Sequence, residues 1–195
     1  MRRVKTAILI SGRGSNMEAL IAAAQAPDYP AEIALVLSNS PEAAGLNHAR
    51  DHGVPAIAID HRLFGKDRKA HEREIDQALK DADIQLVALA GYMRVLTPYL
   101  VTAWQDRMLN IHPSLLPAYP GLHTHARALA AGDAFGGCTV HLVTEGVDQG
   151  PMLGQARVPI LPGDTETSLA ARVLIAEHKL YPACLADYAN RLKAP

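Results

Sequence analysis

The sequence has little cysteine, almost no net charge and no long apolar run, and each shortage excludes a class of protein. Among 195 residues there are 2 cysteines, Cys138 and Cys184, which are too few for a disulfide framework and lack metal-ligand spacing. We expect both to be reduced, structural residues. The formal net charge of -1 creates no global positive field for nucleic acid or anionic lipid. A small-molecule substrate is therefore favoured over a polymer, and no nucleic-acid partner is expected.

No apolar stretch approaches the roughly 20 residues that a helix needs to cross a bilayer, so no membrane partner is expected. Residues 1–3 precede the short apolar run Val4–Ile10, which ends directly in a glycine-containing turn without a cleavage-like site. This run predicts a buried first strand rather than a secretory signal. The predicted location is the cytoplasm.

Short apolar runs alternate with longer segments of helical period, which is typical of an α/β protein. The sequence predicts a single domain over 1–195 with a mainly parallel, Rossmann-like sheet, helices on both faces and a mixed or antiparallel C-terminal extension. The half up to about residue 105 is nucleotide-binding-like, and the half from about 106 is rich in loops. Predicted strands are Thr6–Ile10, Ile33–Leu37, Ala56–Ile59, Leu86–Leu89 and Met108–Ile111, with a hairpin-like pair at Thr139–Val143 and Met152–Val158.

Helix boundaries are predicted from capping residues. The predicted helices are Asn16–Gln25, Pro41–His52, Asp67–Ala82, Pro98–Trp104 and Thr165–Ala189, and Pro113–His125 is predicted to be a loop. Ser40 and Pro41 favour a helix start, because serine caps and proline suits the first helical position. Gly53 favours a helix stop in the left-handed conformation. Asp164 is expected to cap the last helix.

The first strand leads into Ser-Gly-Arg-Gly-Ser-Asn at 11–16, directly before a helix. Glycines allow close approach of the backbone to a ligand, and amides at a helix start attract anions. Ser15 and Asn16 are predicted to occupy the capping position. A third glycine, a P-loop lysine and an acid closing the second strand are all missing, which disfavours NAD or ATP. A phosphate monoester site is favoured, and a turn that only connects strand to helix is the alternative.

Asn110 and His112 form the strongest local signal for catalysis. If their strand continues to residue 112, both side chains lie on one face at its carboxyl end, where ligand crevices form in open α/β sheets. Asparagine is a donor for a developing oxyanion, and histidine titrates near neutral pH. A lone histidine at a strand end is ordinarily structural. Two polar side chains on one face of a central strand are costly to bury without a function.

Asp148 lies in the glycine-bracketed loop Glu145–Pro151 and is a candidate partner for His112. A carboxylate there would favour the imidazolium form and could relay a proton. Spacing by itself leaves the alternative of a surface-turn aspartate open. The other histidines nearby, His123, His125 and His141, form no recognisable zinc motif, so no metal is expected, and His141 is interpreted as a structural strand residue.

Four segments occur in an order that identifies a family: the turn at 11–16, Ala-Gly-Tyr-Met-Arg-Val-Leu at 90–96, Asn-Ile-His-Pro-Ser-Leu-Leu-Pro at 110–117 and Asp-Gln-Gly-Pro at 148–151. Over essentially its whole length the chain closely resembles the phosphoribosylglycinamide formyltransferases of purine biosynthesis. Other formyl-folate enzymes share the 110–117 block, whereas the glycine turn and Tyr119–His125 point to this family. A formyltetrahydrofolate hydrolase, or a formyltransferase with another amine acceptor, is the alternative.

The resemblance implies transfer of a formyl group from 10-formyltetrahydrofolate, the co-substrate, to the amine of glycinamide ribonucleotide, by a monomer or homodimer. It implies that the half from about 106 to 195 is the folate-binding and catalytic half, with catalytic roles for Asn110, His112 and Asp148. It implies ribonucleotide binding by Gly14, Ser15, Asn16 and Glu177, and folate binding by Arg68, Tyr92, Met93, Arg94, Val95, Leu96, Asn110, Thr144 and Asp148. Without the resemblance, Met93, Val95 and Leu96 would be interpreted as ordinary core residues. The chain departs from the family pattern at Leu174, Gln149 and Tyr92, where glutamine, glycine and phenylalanine are expected.

Overall fold

The computed structural model describes residues 3–193; Met1, Arg2, Ala194 and Pro195, with the predictions that fall on them, lie outside the described residues. Within this range one sheet contains seven strands. They are β1 (Val4–Ile10), β2 (Ala31–Ser38), β3 (Ala56–Ala58), β4 (Leu86–Leu89), β5 (Met108–His112), β6 (Phe135–Leu142) and β7 (Met152–Pro159).

The strands are ordered β3-β2-β1-β4-β5-β6-β7. Pairs among β1 to β5 are parallel, while β6 runs antiparallel to β5 and β7 antiparallel to β6. The predicted mainly parallel sheet with an antiparallel C-terminal extension is therefore confirmed. Because the chain extends from β1 to one side and from β4 to the other, the carboxyl ends of these neighbours form a topological switch point, where ligands bind in such sheets.

Alternate residues of β1 build two separate cores, one on each face of the sheet. Ala7 and Leu9 pack with α3 (Arg68–Asp81) and α4 (Pro98–Ala103). Ile8 and Ile10 pack on the opposite face, because side chains alternate along a strand. The helices on that face are α1 (Ser15–Ala24), α2 (Gly45–Asp51) and α6 (Glu166–Lys193), and α5 (Thr124–Ala131) contacts α6 and β6. None of the helices in residues 3–193 has the length and apolar character to cross a membrane.

The second helix begins at Gly45 rather than at the predicted Pro41, where the backbone forms a turn. The amide of Gly45 donates to the carbonyl oxygen of Gly12 at 3.2 Å, and a β-carbon at Gly45 would lie 2.6 Å from Cδ1 of Ile10. Packing against the turn after β1 therefore sets this helix start. The predicted stop is confirmed, since Gly53 has a φ of +73° and the helix ends at Asp51.

The predictions for the second half of the chain were less accurate. Strand β6 starts at Phe135, four residues before the predicted Thr139, because Gly136 and Gly137 hide its alternation. Helix α5 was not predicted, although its alanine-rich sequence favours a helix.

The cap of α6 also differs from the prediction. The hydroxyl of Thr165 accepts a hydrogen bond from the amide of Ser168 at 3.2 Å. The carboxylate of Asp164 instead accepts from the amide of Leu161 at 2.7 Å and pairs with Arg172. Thr165 is therefore the cap of α6, and the prediction for Asp164 is wrong.

A buried carboxylate joins α3 to α4. Asp76, with a side chain that is 3% exposed, accepts hydrogen bonds from Lys80 Nζ at 2.7 Å, Tyr99 Oη at 2.8 Å and Trp104 Nε1 at 3.0 Å. Burial tends to raise the pKa of Asp76, but these three hydrogen bonds outweigh it and hold the pKa below its ordinary value. The ionised carboxylate therefore stabilises this helix pair.

We expect Asp76→Asn to lower the free energy of unfolding by about 2–3 kcal/mol near neutral pH, because an amide turns N–H groups toward donors that need an acceptor. Since the folded pKa is depressed, the stabilisation is fully present above the unfolded value of about 3.9 and is lost as pH falls through the folded value. Urea unfolding from about pH 7 to 3 measures both effects. The exposed Asp81→Asn on the same helix is the control, with a change within about 0.5 kcal/mol. Equal losses in the two variants would contradict the role of Asp76.

Candidate active site

A cavity of about 310 Å³ lies at the switch point, between the turn after β1 and the segment after β4. Two hydrogen bonds connect its walls: the Ser11 amide donates to the Gly91 carbonyl oxygen at 3.2 Å, and the Met93 amide donates to Ser11 Oγ at 2.8 Å. The same hydroxyl donates to Asn39 Oδ1 at 2.6 Å. The residues lining the cavity are Ser11, Gly12, Arg13, Gly14, Ser15, Asn16, Ala90, Gly91 and Met93.

Gly14 is the N-cap of α1 and has a φ of +74°. This left-handed conformation favours glycine, so no side chain caps the helix. Ser15 and Asn16, which were predicted at the capping position, are instead the first two helical residues. The unpaired amides of the first turn are thus the groups at this end of the helix that can bind an anion.

Asn16 pairs with Glu177 beneath the turn. Nδ2 of Asn16 donates to Oε2 of Glu177 at 2.7 Å, and the acid is 6% exposed. Burial raises the pKa of Glu177, and the hydrogen bond from Asn16 offsets part of this shift. Oδ1 of Asn16 is buried and has no hydrogen-bond partner among the described residues. The structure therefore brings together two of the predicted ribonucleotide-binding residues from distant parts of the chain.

Strand β5 continues to residue 112, the condition on which the same-face prediction for Asn110 and His112 depended. Nε2 of His112 donates to the carbonyl oxygen of Tyr119 at 2.9 Å, and Nδ1 lies 3.3 Å from Oδ2 of Asp148. The predicted pairing of Asp148 with His112 is thus present. An imidazolium here would have a hydrogen on each nitrogen, one facing a carbonyl and one facing a carboxylate.

His141 joins this cluster, which the interpretation as a structural strand residue did not anticipate. In the β5–β6 register it is the direct partner of Asn110. Its Nδ1 donates to the Leu142 carbonyl oxygen at 2.8 Å, and its Nε2 lies 3.3 Å from Asn110 Nδ2 and 3.5 Å from Asp148 Oδ1. The register of the antiparallel extension is the signal that could have identified it.

The backbone around Asp148 holds its carboxylate between the two histidines. Asp148 has a φ of +54°, and its Oδ2 accepts a hydrogen bond from the Gly121 amide at 2.9 Å. Burial would raise the pKa of Asp148, but hydrogen bonds from His141 and Gly121 and the nearby His112 hold it below its ordinary value. The carboxylate is therefore ionised at neutral pH.

Glycine is required where this loop returns to the sheet, since a β-carbon at Gly150 would lie 1.8 Å from the Leu142 carbonyl oxygen. Gln149 stands where the family pattern has glycine, and its side chain is exposed and lies against Gly146. Thr144 is exposed at the start of the loop, with Oγ1 3.5 Å from the Gly146 carbonyl oxygen. The structure thus places Thr144 and Asp148 on one loop.

The segment after β4 is anchored at both ends and exposed between them. Tyr92 and Leu96 pack against the core, so the interpretation of Leu96 as a core residue is confirmed. For Met93 and Val95 that interpretation is wrong, because they are 70% and 61% exposed. Nη1 of Arg68 donates to the Val95 carbonyl oxygen at 3.3 Å. The predicted folate-binding residues of this region therefore lie together; Arg94 is half-buried among them.

Both cysteines are buried and free. Burial raises the pKa of Cys138 to about 12 and that of Cys184 to about 11, so both are un-ionised thiols at neutral pH. Within residues 3–193, no group of three or more His, Cys, Asp or Glu side chains is arranged to hold a metal ion.

Comparison with known proteins places these features in a family context. The profile of the formyl transferase family matches residues 4–185. Phosphoribosylglycinamide formyltransferase of Escherichia coli K12 is 43% identical over 187 residues, which cover 95% of this chain and 88% of that protein. The crystal structure of phosphoribosylglycinamide formyltransferase from Brucella melitensis superposes with a TM-score of 0.92 and 53% identity, covering 96% of each chain.

A second group of relatives is much longer. The trifunctional purine biosynthetic protein adenosine-3 of Drosophila melanogaster is 48% identical over 191 residues, which cover 97% of this chain. The chain spans 14% of the length of that protein. The similarity therefore concerns one part of the trifunctional proteins.

Proposed function

Because the chain belongs to the formyl transferase family, we propose that it transfers a formyl group from 10-formyltetrahydrofolate to the amine of glycinamide ribonucleotide. The products are formylglycinamide ribonucleotide and tetrahydrofolate, in purine biosynthesis. One observation carries this proposal: the cavity after β1 and the cluster of Asn110, His112 and Asp148 lie at the same edge of the sheet. An anion site beside an acid–histidine–amide cluster suits an acceptor with a phosphate at one end and an amine at the other.

The ribonucleotide lies with its phosphate at the turn after β1. Amides of Gly14, Ser15 and Asn16 donate to the phosphate oxygens, where the dipole of α1 favours negative charge. Glu177, which accepts a hydrogen bond from Asn16 beneath the turn, accepts from the sugar hydroxyls. This assignment agrees with the names of the relatives, which are phosphoribosylglycinamide formyltransferases.

The folate lies against the segment after β4. The backbone between Tyr92 and Leu96 reads the edge of the pterin, and the exposed side chains of Met93 and Val95 cover its face. Arg68 stands beside this segment, where its guanidinium can contact a carboxylate of the folate. The loop from Thr144 to Asp148 closes the site toward the catalytic cluster.

The reaction begins when the neutral amine attacks the formyl carbon and negative charge grows on the formyl oxygen. Asn110 and protonated His112 donate hydrogen bonds to that oxygen, and Asp148 stabilises the imidazolium. Asp148 also moves a proton, through water, from the attacking amine toward the departing folate nitrogen. Nε2 of His112 is bonded to the Tyr119 carbonyl oxygen, so this bond must be released if Nε2 is the donor.

The test is formyl transfer to glycinamide ribonucleotide, compared with a sugar amine, with aminoacyl-tRNA and with no acceptor. Among these four conditions, we expect tetrahydrofolate to form only with the ribonucleotide. Formate released without any acceptor would instead indicate a formyltetrahydrofolate hydrolase, and preference for another amine would indicate a formyltransferase with a different acceptor.

We further propose that the protein acts in the cytoplasm as a monomer or homodimer, on small molecules rather than nucleic acid or membrane.

Gly12 provides a test of the phosphate site. A β-carbon there would meet no described atom within 4 Å, and its φ is not in the left-handed range, so the fold does not require glycine. We expect Gly12→Ala to change the free energy of unfolding by less than about 0.5 kcal/mol. The methyl group obstructs close backbone approach, so the KM for the ribonucleotide rises on the order of tenfold while the KM for folate stays unchanged. Steady-state kinetics and thermal unfolding measure both, and an unchanged ribonucleotide KM would contradict this binding mode.

A further inference from the structure

The cavity at the switch point has an uneven distribution of charge. Of the residues that line it within the described chain, Arg13 carries the only charged side chain. The others contribute backbone amides, two small hydroxyls, one amide side chain and apolar groups. The single formal charge among the residues that line the cavity is therefore positive.

Among the residues that the structure describes, the Arg13 side chain has no hydrogen-bond or ion-pair partner that would explain its position. It is exposed, and it forms no side-chain hydrogen bond or ion pair with the described residues, 3–193. Its backbone, in contrast, is held in place: the neighbouring Gly12 accepts from the Gly45 amide at 3.2 Å, and Ser11 is bonded to Gly91. The Cα of Arg13 is thus fixed at the edge of the cavity, and its side chain is available to a ligand.

Two acidic side chains lie near the turn and would repel a bound phosphate, so a nearby cation would favour phosphate binding. Glu18 lies in the first turn of α1, and Glu177 is buried beneath the turn. A phosphate monoester carries up to two negative charges, whereas the amides of a helix start supply the equivalent of about half a positive charge. The guanidinium of arginine keeps its charge at every working pH and forms bidentate hydrogen bonds with phosphate.

We propose that Arg13 is a binding residue for the acceptor's phosphate and supplies the full positive charge that the glycine turn itself lacks. This inference rests on the proposed function only in taking the acceptor to be a phosphate monoester. It makes Arg13 a specificity residue: it favours phosphorylated acceptors over the same molecule without phosphate, and it has no part in the formyl-transfer step.

The test compares Arg13→Gln with Arg191→Gln, which removes an exposed arginine near the end of α6. Each is assayed with glycinamide ribonucleotide and with the corresponding ribonucleoside, which lacks phosphate. For Arg13→Gln we expect kcat/KM to fall at least about tenfold with the ribonucleotide and less than about twofold with the ribonucleoside. Arg13→Lys should recover part of the loss, because it restores the charge without the bidentate geometry. Arg191→Gln should behave as wild type with both acceptors.

Equal losses with the two acceptors, or an unchanged KM for the ribonucleotide, would overturn the role of Arg13. Calorimetric titration with ribose 5-phosphate separates this inference from the proposed function. If wild type transferred no formyl group to the ribonucleotide, the proposed function would fail. The phosphate-binding role of Arg13 would still be supported if wild type bound ribose 5-phosphate at least about tenfold more tightly than Arg13→Gln. That role would be overturned if the two proteins bound ribose 5-phosphate equally.

Discussion

Asp148→Asn is expected to lower the turnover number at least about a hundredfold, with both substrates saturating and the fold intact. The carboxylate lies 3.3 Å from His112 Nδ1 and 3.5 Å from His141 Nε2, so it faces the two imidazoles at once. An amide of the same shape neither stabilises an imidazolium nor accepts a proton. Its oxygen can still accept the hydrogen bond from the Gly121 amide, and asparagine tolerates the left-handed φ of +54°.

The controls for this variant separate chemistry from folding. Asp187→Asn removes an exposed carboxylate from α6 and should leave turnover within about twofold of wild type. Thermal unfolding checks that both variants are folded. Because the pKa of Asp148 lies below its ordinary value, wild type keeps this carboxylate ionised throughout an assay at neutral pH. Turnover of Asp148→Asn within twofold of wild type would contradict the role assigned to Asp148.

Asn110→Ala is expected to lower kcat by about 10²–10³, which corresponds to roughly 3–4 kcal/mol of lost transition-state stabilisation. Asn110 is half-buried at the carboxyl end of β5, and its Nδ2 lies 3.3 Å from His141 Nε2. Because that contact is long, little hydrogen-bond energy is lost when Nδ2 turns toward a developing oxyanion. Because the lost bond forms mainly in the transition state, kcat and kcat/KM should fall together.

Asn110→Asp sharpens this test, since it keeps the side-chain shape and replaces the donor with a second carboxylate beside Asp148. We expect a loss at least as large as that of the alanine variant. Steady-state kinetics with both substrates, together with urea unfolding, distinguish catalysis from stability. If Asn110→Ala kept kcat within about fivefold of wild type while folded, Asn110 would not be the oxyanion donor.

The sequence by itself determined the architecture and one part of the site. The strand β4 has the predicted bounds, and the parallel sheet with its antiparallel extension follows from the alternation of apolar runs with helical periods. Asn110 and His112 could be paired from the strand period, because side chains two residues apart share a face. These inferences depend on local periodicity, which neighbouring residues determine.

Asp148 and His141 needed the tertiary structure. Asp148 reaches His112 through a loop with a positive φ and a glycine at 150 that passes against the Leu142 carbonyl oxygen, and spacing does not encode that path. His141 meets Asn110 through strand register, which depends on how β6 pairs with β5. The start of α2 likewise depends on packing against the turn at Gly12.

The features decided only by tertiary structure share a physical reason: each depends on contacts between segments far apart in the chain. The sequence predicted Asn110 and His112 as a pair, and only the folded chain added Asp148 between His112 and His141. The sequence also predicted an anion-binding turn at 11–16. Only the cavity showed that Arg13 is its sole charged side chain among the described residues, because the opposite wall is contributed by residues that follow β4.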